Sequence, residues 1–131
     1  MSLSNEERKT LVSLELKKAR ETYEEIGVLV AANRWSGAAN RLYYAVFHAV
    51  AALLIHDGHQ ASTHKGSHAS FNLYYIKTGV LSREYGYLYS QLQTMREESD
   101  YNCAYDLEPQ ELLKRLEPAK QLIDEVEKLV M

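Results

Sequence analysis

Apolar residues recur along the chain at alternating intervals of four and three, the period of an amphipathic helix. Val12, Leu16, Ala19, Tyr23, Ile26 and Val30 form the first such stripe. Ser4, with Glu7 three residues on, is placed to close a capping box at its start. "NRWSG" interrupts the pattern, and Ser36 is expected to cap a second helix that runs to about Ile55 or His56, before Gly58. "DGHQASTHKG" reads as a loop. A shorter helix over about Ser67 to Lys77 follows and stops at Gly79. Ser82 caps a fourth helix with Tyr85, Leu88, Leu92 and Met95 on one face. Pro109 suits the first turn of the last helix, where Leu112, Leu116, Ala119, Ile123, Val126 and Val130 repeat the spacing. Pro118 falls inside that pattern, so a kink or a split into two shorter helices is expected. No strand pattern or internal repeat competes. Short connections between long helices favour antiparallel neighbours. The expected fold is all-α, an antiparallel up-and-down bundle of four to five helices, with residues 1–131 as a single domain.

The second helix breaks its own pattern. In "NRLYYAVFHAVAALL", Arg41, Tyr44 and His48 fall within about one third of the helix circumference, beside an apolar stripe of Tyr43, Phe47, Val50 and Leu54. A guanidinium buried without a partner costs several kcal/mol, so Arg41 must reach water, a carboxylate or a ligand. The carboxylates best placed in the sequence lie in "MREESDYN", where Arg96 and Asp100 are one helical turn apart. Two readings follow. In the structural one, Arg41 pairs with Asp100 or Glu97 and His48 is a satisfied core histidine. In the functional one, Arg41, His48, Arg96 and Asp100 line a pocket between the second and fourth helices, with Tyr44 and Lys65 beside it. Two converging arginines then favour an anionic ligand such as a phosphate.

Composition narrows the classes. A net charge of −3 argues against a generally basic nucleic-acid binder but leaves room for a local basic pocket. Ten tyrosines against two phenylalanines suit half-buried and interfacial positions. Tyr87 and Tyr89 are expected to project towards a partner subunit or solvent, and the surplus of apolar surface points to a homodimer. The one cysteine, Cys103, excludes an internal disulfide and fits a reducing cytoplasm. The polar N-terminus carries no signal-peptide core, and the longest apolar run is too short to span a bilayer, so no membrane partner is expected. His64 and His68 are four apart, but Gly66 between them and the lack of nearby Cys or carboxylate ligands argue against a metal site. No metal and no cofactor are expected.

Four segments in order carry a family resemblance: "ANRLYYAVFHAVAALL", "STHKG", "YYIKTG" and "REESDYN". Together they span about Ala39 to Asn102 and resemble the bacterial and archaeal HEPN domains (higher eukaryotes and prokaryotes nucleotide-binding). The resemblance implies a four- or five-helix bundle, usually a homodimer, and a small nucleotidyltransferase as partner in a toxin–antitoxin or defence module. It also implies a nucleotide or RNA ligand. Some members are metal-independent ribonucleases, marked by an arginine, a polar residue and a histidine after four to six intervening positions in a late helix. Arg96 and Glu97 match the first two. Position 101 is Tyr101, and no histidine occurs after His68. Where other members carry a tyrosine that the partner adenylylates, this chain has Cys103, with Tyr101 and Tyr105 out of register. Arg41 and His48 have six residues between them, but Leu42 follows the arginine and the pair sits in an early helix. The expectation is therefore a binding module with little ribonuclease activity, which would bind a nucleotide, an RNA end or the partner enzyme. A ribonuclease toxin using Arg96 with Tyr101, or with a histidine from elsewhere in the fold, is the rival.

Overall fold

The computed structural model describes residues 3–59 and 63–131. Residues 60–62, within the expected loop, lie outside the described part. Six α-helices follow in order: α1 (Asn5–Ala31), α2 (Trp35–His56), α3 (His64–Phe71), α4 (Arg83–Tyr101), α5 (Pro109–Leu113) and α6 (Leu116–Val130). Between α3 and α4 the chain makes one π-helical turn, Asn72–Ile76. Among the described residues there is no strand. The five expected segments are present, and the last is split.

Helix ends show which local signals were decisive. Ser4 accepts from the Glu7 amide, and Glu7 accepts from the Ser4 amide, which is the expected capping box. Ser82 caps α4. Gly58 and Gly79 close their helices with φ of +80°, where a side chain would be strained. Ser36 does not cap α2: the N-cap is Arg34, without a side-chain bond. Asn33, at φ +58°, turns the chain so that the Arg34 amide donates to Leu29 O and α2 begins at Trp35. The third helix starts at His64, capped by Thr63, three residues earlier than expected. That places His64 on a helix instead of in a loop. Pro118 sits in the first turn of α6, where its missing amide costs no helical bond. The break itself falls at Lys114 and Arg115.

α2 is the central helix and packs against α1, α4 and α6. By length and composition it would pass as a membrane-crossing segment. Here its apolar residues, from Ala38 to Leu54, are the middle of the core. Cross-links between helices give direction. Arg8 donates to Ile55 O, Glu15 meets His48 and Glu25 lies near Arg41, so α1 and α2 run antiparallel. Asn40 meets Asp100, and Arg96 lies over Tyr43, so α2 and α4 do too. Arg20 bridges to Asp124 on α6, while Tyr23 donates to Leu116 O. The core stripe of α1 is Val12, Leu16, Ala19, Thr22 and Ile26; Tyr23 and Val30 are only half-buried at its edge. Tyr87 and Tyr89 part company. Tyr87 is 61% exposed, but Tyr89 is fully buried and shares a hydrogen bond with Ser67. Residues two apart on a helix lie on opposite faces, so both could not project.

Candidate functional site

Arg96 is the polar residue most out of place. It is 7% exposed, and its guanidinium carbon lies 4.9 Å from the Tyr43 ring centre, 5.8 Å from Tyr44 and 6.0 Å from Tyr101. Nη1 is 3.8 Å from the Asp100 carboxylate, too long for a hydrogen bond, and Nε is buried with no partner. Burial disfavours its charge, yet Tyr44, Tyr43, Tyr101 and Asp100 together outweigh that and hold its pKa above the ordinary arginine value. Aromatic faces stabilise a desolvated cation by up to about 2 kcal/mol. They offer no acceptor for its N–H groups.

Arg96 opens onto a cavity of about 530 Å³ between α2, α3 and the end of α4. Tyr44, His64 and Tyr101 form walls, with Glu97 and Glu98 at the rim. Tyr101 is 78% exposed. His64 Nδ1 is 3.0 Å from the hydroxyl of buried Tyr43. Burial, and then the positive charge of Arg96, lowers the His64 pKa below 6.5, so the ring is neutral near pH 7. Neutral imidazole with one nitrogen held by a hydroxyl is a group able to take and return a proton.

The expected pocket is thus partly assembled. Arg96, Tyr44 and Tyr101 line it, with Asp100 against the guanidinium. His48 does not belong to it; its Nδ1 is 2.8 Å from Glu15 on α1. Arg41 lies 5.4 Å from the Tyr44 ring centre but turns its fork onto its neighbour, donating from Nε and Nη2 to Asn40 Oδ1 at 3.0 and 2.6 Å. Asn40 in turn donates to Asp100 at 3.1 Å. The direct Arg41–Asp100 pairing is therefore replaced by an amide-bridged relay from Arg41 through Asn40 and Asp100 to Arg96. One short asparagine closes a gap that the arginine need not cross. Lys65 is exposed and is not part of the cavity wall.

The expectation that no histidine stands beside Arg96 is also corrected. His64 reaches the pocket from α3, thirty-two positions earlier in the chain. The signal was present in "STHKG": Thr63 is an N-cap residue, which places His64 on the first turn of a helix. Among the described residues no group of His, Cys, Asp and Glu could hold a metal.

Comparison with known proteins agrees with this architecture. The model of the HEPN domain matches residues 12–129. A Thermotoga maritima protein named "UPF0332 protein" is 32% identical over 95% of this chain and 94% of its own length. A Methanocaldococcus jannaschii protein named "Putative toxin" is 24% identical over 97% of this chain and 94% of its own. With a helical bundle, an ordered set of segments and a family model covering most of the sequence in accord, the chain belongs to the HEPN domain family.

Proposed function

We propose that this HEPN domain is a binding module whose Arg96 pocket takes the phosphate of a nucleotide or of an RNA end. It works as a homodimer and as one half of a toxin–antitoxin or defence pair in the cytoplasm, with a small nucleotidyltransferase as the other half. The observation that carries the ligand reading is the buried Arg96 with its unpartnered Nε. A buried cation without full hydrogen bonding costs several kcal/mol, and a phosphate supplies the missing acceptors in bidentate geometry. Tyr44 and Tyr101 offer faces on which a base can stack, which tolerates any base. Glu97 and Glu98 at the rim, and the net charge of −3, disfavour long RNA held by charge alone. The toxin named among the relatives supports the paired-module part of the reading. Calorimetric titration with mononucleotides and short RNA tests it. Binding is expected in the wild type and a loss of at least about tenfold in Arg96→Ala, equivalent to one charge-assisted hydrogen bond. Equal binding by both proteins would leave the cluster a structural one.

His64 favours a second reading, the metal-independent ribonuclease toxin. A neutral histidine oriented by Tyr43 can serve as general base towards a 2′-hydroxyl, while Arg96 holds the phosphate. RNA cleavage that is abolished by His64→Ala and by Arg96→Ala separately would select this reading over pure binding.

A further inference from the structure

A second cavity, of about 430 Å³, lies at the other end of α4, between its first turns and the π-helical turn. Lys77 and Arg83 line it, together with Asn72, Tyr87 and Ser90. Its chemistry is one-sided. Among the described residues neither cation forms an ion pair, in a chain where acids outnumber bases. No carboxylate lines the cavity. The backbone is shaped around it: the Lys77 amide donates to Asn72 O at 2.9 Å, closing a wide i to i+5 turn, a rare feature that occurs frequently at functional sites. Gly86, on the facing turn of α4, leaves room that a Cβ would take, since one built there would lie 3.0 Å from Asn72 Oδ1. His68 also lines the cavity, beside the Gly86 backbone. Tyr87 stands beside these groups with its ring 61% exposed.

We propose that this cavity is a second phosphate site, which takes a backbone phosphate of an RNA strand whose end lies in the Arg96 pocket, with a base stacked on Tyr87. It rests on the phosphate reading of the Arg96 pocket and gives that reading a substrate class: a single strand, not a free nucleotide. Arg83 and Arg96 are thirteen residues apart on one helix, about 20 Å of rise. Arg83, Tyr87, Ser90, Thr94, Glu97 and Tyr101 fall on one exposed face of α4 and mark the path between the two cavities. Hydroxyls and aromatic rings along such a path suit a strand recognised by stacking and backbone contacts.

Affinity is measured for inorganic phosphate, a mononucleotide and unstructured RNA strands of increasing length, each across a salt series. The wild type is expected to bind strands that span both cavities at least about tenfold tighter than the mononucleotide. In the Lys77→Ala/Arg83→Ala protein that gain disappears, and the slope of log affinity against log salt falls by about 0.7, the release expected for one neutralised phosphate on a single strand. Mononucleotide binding stays unchanged. Tyr87→Ala weakens the long strand by about fivefold or more. These three positions are exposed, so folding is not at stake. If the double variant binds long strands as the wild type does, the second site is overturned while the Arg96 reading stands. Loss of long-strand binding only in Arg96→Ala likewise overturns the second site and keeps the first. Inorganic phosphate bound at Lys77 and Arg83 with no gain from strand length overturns the RNA assignment in favour of a free anion. Strand binding in Arg96→Ala that equals the wild type and vanishes when Lys77 and Arg83 are also replaced keeps the second site and removes the first. A wild type that binds none of the probes overturns both.

Discussion

Single side chains at the Arg96 site are held by unequal means. Asp100 faces Arg96 across 3.8 Å and accepts from Asn40, but it is partly open to water. Asp100→Ala is therefore expected to cost about 1–2 kcal/mol in denaturant melts, above an exposed ion pair and below the about 3–5 kcal/mol of a fully buried one. A loss in the fully buried range would mean that the carboxylate alone neutralises Arg96. His64 and His68 both have pKa values lowered from 6.5, by burial first; Arg96 adds to the effect on His64, and the Gly86 backbone opposes it on His68. The unfolded chain then binds their protons at higher pH than the folded one. Their favourable contribution is complete above about pH 6.5 and is lost as pH falls below it. Thermal melts should show stability falling as pH drops below about 6.5 and a flatter profile in the His64→Gln/His68→Gln protein. Glu7 and Glu111, held below 4.5 by Ser4 and by Arg115, add their own loss only at lower pH.

Elements are shaped by where they touch. α4 meets the π-helical turn at Gly86, and the fit is close: a Cβ there would also lie 3.3 Å from Ile76. Gly86→Ala gains about 1 kcal/mol of helix propensity but overpacks the contact, which costs about 1–3 kcal/mol. A net loss near about 1 kcal/mol is expected from chemical denaturation. A more stable variant would show that Asn72 and Ile76 move aside freely. Thr22 shows the converse: it lies in the core stripe of α1 with its hydroxyl buried and unpartnered. The apolar periodicity of α1, α2, α4 and α6 was readable because each buries one continuous face, and burial is what selects period 3.6. The π-helical turn was not readable. Residues 67–77 look like one helix locally, and the widened turn falls where the segment packs against α4.

At the scale of the molecule, assembly is the open property. Leu14, Val28, Leu73 and Val80 are exposed large apolar side chains that a partner surface would cover. A homodimer with α4 near the two-fold axis is expected, and light scattering at micromolar concentration checks it. A monomeric mass there would refute it and would leave each Arg96 pocket to act alone. The two cavities on α4 sit near opposite ends of that helix, so a two-fold contact that keeps both open lies beside the Arg83–Tyr101 face and not over it.

Periodicity, caps and turn residues along the chain were enough to determine the long helices and their antiparallel bundle. Family membership was legible in four ordered segments of the middle of the chain. These are local properties: a helix is specified by residues within a few positions of one another, and its buried face by their spacing. Which polar residues meet was decided only by the tertiary structure. Arg41 and His48 share a face with Tyr44, yet Asn40 captures the first and Glu15 the second. His64, distant in sequence, completes the cavity that Arg96 opens. The reason is reach. A side chain pairs with the first partner within about 3 Å, and helix packing sets which partner that is by shifts smaller than one turn, a distance that spacing along a single chain does not encode.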